Sequence, residues 1–356
     1  MSKSASHAVA SQNNQTANKD YPIGIFNSVL TGNEPFLADH IIQGKKILPG
    51  MAYLEITRAA VANSVTLGDK YMIVLVDSIF VSALTITEKR AIEVKIYPGA
   101  NGEFGVEVST DQGIHFQSKA YIRTKQEHTE STGLPTRLDI QQLKQQCPVA
   151  GPTKQEFYST FVKRGVNLGP SHRGVEDIKI GTNCGLVKVS IPGSSKQGMG
   201  MDPGMLDSLI QGGVALSNNP EANVVPFAVK RTSVYGPLTD HMYVYMVQTS
   251  EGLDYTMADE AGDVRVIITG FLTREIDLNA QQDQLVFYKP EFQEDIAELD
   301  NNDSDSTTTI IKNQGSYNDL VKAVFETAQQ LISKKVEQHT IEVQLSSSTP
   351  SFQGII

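Results

Sequence analysis

Two short stretches of the 356-residue chain carry side chains able to move protons. The first, FLADHIIQGKKILPGM, centres on His40. An imidazole with an ordinary pKa of ~6.5 is a usable base at neutral pH. Gly44 and Pro49 follow it and predict a turn and then a helix start. His40 is therefore expected in a polar turn just ahead of a helix N-terminus, whose unpaired N–H groups and positive dipole end suit a polarised carbonyl oxygen. A base there could take a proton alpha to that carbonyl; a loop histidine satisfied by water is the alternative. The second stretch, MDPGMLDSLIQ, centres on Asp207, set inside an apolar helix where charged groups are seldom buried without cause. Burial raises a carboxyl pKa, so Asp207 is expected to keep its proton and act as a general acid. Gln211, one turn on, shares its helix face and is placed to hold the carboxyl or a substrate. The alternative for Asp207, an acid that only complements the helix dipole, suits Asp202 better.

The elements around these residues repeat. A buried helix is predicted over 47–65, with Met51, Leu54, Ile56 and Val61 on a wide apolar stripe. Strands follow at 71–81, 91–97, 104–109 and 115–123, broken by Gly, Pro and Asn as in an antiparallel sheet. Residues 124–152 are polar, punctuated by Pro and Gly, and read as an internal linker. Strands recur at 174–181 and 185–192, then a helix at 202–218 carrying Met205, Leu206, Leu209, Ile210 and Val214. Further strands are expected at 227–235, 241–249, 253–258 and 263–272. Two copies of a helix plus an antiparallel sheet predict an α+β fold, not alternating βαβ units. Residues 1–20 read as a flexible leader. Residues 281–315 read as an acidic linker, and 316–345 as an amphipathic helix and a strand that begin a further domain.

Composition narrows the function classes. The chain has 30 Lys and Arg against 40 Asp and Glu, a net charge of −10, which makes it a poor nucleic-acid binder. Much of that excess lies between Asp283 and Asp305, where eight acidic residues face Lys289 alone. The longest apolar run, Tyr71 to Val76, is far short of the ~20 residues a membrane helix needs. Neither a secretory h-region nor a cysteine framework is present, so a reduced, cytoplasmic setting is expected. Cys147 and Cys184 are far apart in sequence and expected to be inert. His115, His128, His172, His241 and His339 are scattered without ligand spacing, so no metal site is expected. Gly198 and Gly200 are too few and misplaced for a dinucleotide loop. Lys163, Arg164 and Arg173 either meet an acidic partner or form an ordinary solvated surface.

The residues resemble one family. His40, Gly44 and Pro49 fit the HxxxGxxxxP pattern of polyketide synthase dehydratase domains, and Asp207 with Gln211 fits their DxxxQ pattern. Residues 165–174, GVNLGPSHRG, resemble the stretch that usually reads GxxYGPxFxG and include Leu168, Gly169 and Pro170. The resemblance covers about residues 21–288. It implies a double hotdog, with a first half over 21–135 bearing the base, a second over 145–288 bearing the acid, and 289–356 as linker and start of a neighbouring domain. It implies loss of water from a β-hydroxyacyl thioester to give the α,β-unsaturated thioester. His40 would take the α proton and Asp207 would protonate the hydroxyl. Gln211 would orient Asp207, and the backbone at Gly50 would polarise the carbonyl. The implied partners are an acyl carrier protein, whose phosphopantetheine arm holds the substrate, neighbouring synthase domains including a ketoreductase, and a second copy in a homodimer; no cofactor is implied. Leu168 replaces the usual Tyr and Asp202 the usual His ahead of Pro. Ring closure to a cyclic ether and double-bond isomerisation are the alternatives on this scaffold, and retention of Asp207 favours dehydration.

Overall fold

Strands that alternate apolar and polar residues bury one face and leave the other to water. In this chain they do so twice around an apolar helix. The computed structural model describes residues 21–65, 67–99, 102–217, 223–275, 308–312 and 340–344. The expected leader, most of the acidic linker and the expected helix after residue 316 lie outside them. The chain divides into two units, Met1–Phe287 and Tyr288–Ile356.

In chain order the first part of the larger unit holds β1 (Gly24–Leu30), α1 (Pro35–Ala38), β2 (His40–Ile42), β3 (Lys45–Lys46), α2 (Gly50–Ser64), β4 (Tyr71–Phe80), β5 (Arg90–Pro98), β6 (Glu103–Thr110) and β7 (Gly113–Thr124). Then come α3 (Lys125–Thr132), α4 (Ile140–Gln146), β8 (Val149–Ala150), α5 (Lys154–Lys163), β9 (Val166–Leu168), β10 (Val175–Ile180) and β11 (Cys184–Ser190). The last are α6 (Pro203–Gln211), β12 (Val224–Val234), β13 (His241–Thr249), β14 (Gly252–Asp259) and β15 (Val264–Glu275). One twelve-stranded sheet runs β1-β5-β6-β7-β4-β12-β15-β14-β13-β11-β10-β8. Antiparallel pairing of β4 with β12, Val74 opposite Ser233, joins the two halves. Inward residues such as Ile92, Val94 and Ile96 on β5, and Met242, Val244 and Met246 on β13, close over α2 and α6. The two helices also pack on each other. This is the α+β double hotdog: two helices, each wrapped by antiparallel strands.

Three local expectations are corrected. Pro49 is the N-cap of α2, with φ −56° and ψ 137°, and Gly50 is the first helical residue. The helix expected over 202–218 ends as an α-helix at Gln211 and tightens to a 3₁₀ turn over Gly212–Leu216. The change falls at the Gly212-Gly213 pair, two poor helix formers, and a Cβ on Gly213 would clash with the Tyr255 hydroxyl, so the sheet closes here only because no side chain intervenes. The expected linker over 124–152 contains α3 and α4. A capping box between Thr124 and Glu127 starts α3, and Gly133 in the left-handed region ends it. Asp139 caps α4. Leu138, Leu143 and Cys147 pack with Cys184, Tyr235 and Ile267 on the far face of the sheet. In the smaller unit, β16 (Thr308–Lys312) and β17 (Thr340–Gln344) form a parallel pair.

Candidate active site

The spacing of the first motif is the spacing of a hairpin. Ile42 pairs with Lys45 across the turn between β2 and β3, leaving Gln43 and Gly44 as its two corner residues. Their φ angles of 49° and 74° are the double left-handed conformation such a tight turn needs, which accounts for Gly44. The return strand brings the Ile47 carbonyl to 2.7 Å from His40 Nδ1. A carbonyl only accepts, so Nδ1 carries the hydrogen and Nε2 keeps its lone pair. His40 is thus a buried strand residue, 9% exposed, and not part of a polar turn. Burial pushes its imidazole below the usual range, against an opposing pull from Asp207. At neutral pH it is a neutral base with a defined tautomer.

On its other edge β2 pairs with β9, His40 opposite Leu168. The second-half stretch therefore lies directly beside the first-half base. The Gly169 N–H donates to the Asp39 carbonyl at 2.8 Å, and Ser171 N–H to Asp39 Oδ2 at 2.9 Å. A Cβ on Gly169 would sit 2.2 Å from Asp39 Oδ1, so this close approach requires glycine. Pro170 opens a single 3₁₀ turn, Pro170–His172, that directs His172 inward.

Asp207 projects from α6, whose N-terminus is capped by Asp202 Oδ1 accepting from Met205 N–H at 2.8 Å. Asp202 therefore has the capping role its position suggests. The loop before it is held by the carboxylate of buried Glu55, which accepts from Gly200 and Met201 N–H and pairs with Arg58 at 2.6 Å. Asp207 Oδ2 accepts from Gln211 Nε2 at 2.8 Å and faces His172 Nδ1 at 3.0 Å. Gln211 Nε2 also reaches the His172 carbonyl at 3.1 Å, and its Oε1 accepts from the Tyr158 hydroxyl at 3.2 Å. The expectation of a raised Asp207 pKa is corrected. Burial pushes it up, but the hydrogen bond and charge of His172, with His40 and Gln211, outweigh that and leave it lowered. His172 moves the other way: burial lowers it, and Asp207, the Phe36 carbonyl and Asp202 together raise it.

His172 is the site residue that sequence reasoning passed over, as one of several scattered histidines. Its signal lay in the motif itself, since it stands where GxxYGPxFxG has Phe. Its ring lies 5.1 Å from that of His40, centroid to centroid. His40, Asp207, Gln211, Gly50 and Leu168 line one cavity of about 590 Å³, walled largely by aromatic and apolar groups such as Phe80, Tyr255 and Phe271. Gly44, Pro49, Gly169 and Pro170 are not among its lining residues and act through the backbone of the hairpin, the helix start and the 3₁₀ turn. Arg173 stacks on Tyr158, and Arg164, which also lines the cavity, on Phe161. Among the described residues no group of three or more His, Cys, Asp or Glu is placed to hold a metal. Cys147 and Cys184, distant in sequence, bring their sulfurs to 3.7 Å in the apolar layer. Burial pushes the Cys147 thiol up to about 12.

Comparison with known proteins decides the family. A model of the polyketide synthase dehydratase domain matches residues 7–111, and one of the polyketide synthase dehydratase N-terminal domain matches residues 117–283. The chain belongs to the polyketide synthase dehydratase domains. Polyketide synthase PksN of Bacillus subtilis is 31% identical to this dehydratase domain over 265 residues, 70% of the chain and 5% of that protein. The chain thus spans about one-twentieth of the length of PksN and of PksM of Bacillus subtilis. A trans-AT polyketide synthase dehydratase domain from Brevibacillus brevis superposes with a TM-score of 0.63 at 26% identity, covering 71% of this chain and 94% of that one. The CurK dehydratase shares the fold, with a TM-score of 0.64 at 21% identity over 72% of this chain and 94% of its own. Among the described residues no helix is long and apolar enough to cross a membrane.

Proposed function

We propose that this dehydratase domain removes water from a β-hydroxyacyl thioester with His40 as base and Asp207 as acid. The observation that carries the reading is the pairing of opposite protonation roles across one apolar cavity. His40 Nε2 has a free lone pair because Ile47 fixes the hydrogen on Nδ1. The Asp207 carboxyl sits against an imidazole able to supply a proton. One group comes from each half of the fold, which fits two groups needing opposite states at one pH. The CurK dehydratase with a His-to-Phe change is an inactive mutant, and so is the CurK dehydratase with an Asp-to-Asn change; a histidine and an aspartate are the residue types of the base and acid proposed for this chain.

His40 Nε2 takes the α proton while the thioester carbonyl lies toward the N-terminus of α2, where the Gly50 N–H meets the developing negative charge. Asp207 protonates the β-hydroxyl, which leaves as water. The elimination moves one proton onto a base and one off an acid with no net change of oxidation state, so the reading calls for no cofactor. Gln211 orients Asp207. The largely apolar cavity suits an acyl chain delivered on the phosphopantetheine arm of an acyl carrier protein, and neighbouring synthase domains, a ketoreductase among them, would complete the assembly. Residues 21–135 and 145–288 serve as the two halves in this reading, and 289–356 as linker and the start of a neighbour. The edge strand β1 exposes Ile25 and Val29, a surface suited to a homodimer.

The test is product analysis. A β-hydroxyacyl pantetheine thioester with a further distal hydroxyl should give the α,β-unsaturated thioester, with an olefinic proton signal. A product of the same mass but with a cyclic ether and no olefin would replace this reading with ring closure.

A further inference from the structure

His172 is fully buried, and both its ring nitrogens face hydrogen-bond acceptors: Nε2 the Phe36 carbonyl at 2.9 Å and Nδ1 the Asp207 carboxyl at 3.0 Å. We infer that His172 is the proton store of the acid half, holding against Asp207 the proton that Asp207 passes to the departing hydroxyl. This rests on the reading of Asp207 as the acid. His172 acts through Asp207 and is a positioning residue in that sense.

The geometry leaves a single proton free to move. The Phe36 carbonyl can only accept, so Nε2 carries a hydrogen throughout. The contact between Nδ1 and Oδ2 can then be N–H to carboxylate or imidazole nitrogen to carboxylic acid, with one proton shared in either form. Among the described residues Oδ1 takes no hydrogen bond, and Asp207 lines the cavity, so the proton has an exit toward substrate. The groups around the ring are Asp207 on α6, Asp202 at its N-cap, His40 on β2, Tyr158 on α5 and Asp39 beyond α1. The carboxylates of Asp207 and Asp202 favour the imidazolium, and His40 opposes it. A lone carboxyl of ordinary pKa ~3.9 would hold its proton in only about one molecule in a thousand at pH 7. The imidazole keeps the acid loaded there.

The step balances. The Cα–H bond breaks and its proton goes to His40 Nε2. The Cβ–O bond breaks with its electron pair on oxygen, and that oxygen takes the proton from Asp207. That proton is the one shared with His172 Nδ1, so its departure leaves His172 neutral and Asp207 a carboxylate. His40 has gained one proton and the pair has lost one, so the cycle closes when one proton returns from His40 to the pair.

The experiment uses the whole chain, a β-hydroxyacyl pantetheine thioester, and the variants His172→Phe and His172→Gln. Gln can still donate to Asp207 but cannot release a proton, so it would rescue a merely structural role. Both variants should move the alkaline limb of log kcat to lower pH by a unit or more. At pH 7 and above kcat should then fall about tenfold or more while KM changes little. A His172→Gln profile superimposed on that of the parent would overturn the inference. Nitrogen-15 NMR of histidine-labelled protein gives a reading that needs no variant to be active. His172 should show both nitrogens protonated at pH 7, and a neutral ring there would overturn the inference equally. If Asp207→Asn retains turnover, the acid assignment itself falls. If Asp207→Asn is inactive and His172→Gln unaltered, only the proton store falls.

Discussion

Removing the Gln211 amide should slow the reaction more than it weakens substrate binding. With one shared proton the Asp207–His172 pair is net neutral before transfer, the carboxylate offset by the imidazolium beside it, and carries an uncompensated negative charge after it. The Gln211 Nε2 bond to Oδ2, 2.8 Å long, therefore strengthens as the proton leaves. A hydrogen bond to a neutral partner contributes ~0.5–1.5 kcal/mol and one to a charged partner ~1.5–3 kcal/mol. The difference, about 1 to 1.5 kcal/mol, belongs to the transition state and amounts to about five- to tenfold in kcat. Gln211→Leu, which keeps the volume, should show that loss with KM within about twofold. The same change strips the Tyr158 hydroxyl and the His172 carbonyl of a partner, so stability should drop by about 2–4 kcal/mol. Initial rates on a β-hydroxyacyl pantetheine thioester and urea unfolding of the same preparations separate the two effects. A variant destabilised as expected but unchanged in kcat would refute the reasoning, because Gln211 would then brace the fold without touching the acid.

Glu55→Ala should cost about 3–5 kcal/mol in urea unfolding, since it leaves a largely buried Arg58 unpaired and two backbone N–H groups without acceptors; a loss below about 1 kcal/mol would contradict that. Tyr53→Phe should leave the substrate-free protein equally stable or raise its melting temperature, because the buried Tyr53 hydroxyl has no hydrogen-bond partner among the described residues; a clear drop would contradict that. Stability should also vary with pH through the acid pair. His172 is raised, so its contribution is full below about 6.5 and lost as pH climbs through the folded value; Asp207 is lowered, so its contribution is full above about 3.9 and lost as pH falls through the folded value. The parent should thus lose urea midpoint on both sides of that window, and His172→Phe should lose the alkaline decline. Ile25→Lys with Val29→Lys should shift the molecular mass by light scattering from dimer to monomer, and a parent that is already monomeric would remove β1 as an interface.

Much of the site was legible because its parts are local. The four-residue step from Asp207 to Gln211 is a helix step, and the same step from His40 to Gly44 is a hairpin, so each can be read within one element. The inward-facing strands showed in the alternation of β5 and β13, and the helices in the apolar runs of α2 and α6. What could not be read was set by meetings between elements. His172 reaches Asp207 only once the 3₁₀ turn Pro170–His172 has packed on α6, and that contact reverses the direction in which burial alone would shift the Asp207 carboxyl. The helices α3 and α4 were hidden because they are polar and dock through few residues, His128 and Leu143 among them. Buried Tyr158 gave no sign of its bond to Gln211. The end of α6 was written in Gly212-Gly213, yet the apolar stripe running past the pair outweighed it.

Turnover of His40→Ala and Asp207→Asn, each shown to be folded by its circular dichroism and unfolding midpoint, tests the central claim most directly. Mass spectrometry of a β-hydroxyacyl pantetheine thioester should show loss of water with the parent protein. Each variant should be slower by at least about 10²-fold, the usual contribution of a positioned acid or base. Water loss at the parental rate in either folded variant would contradict the division of base and acid between the two halves.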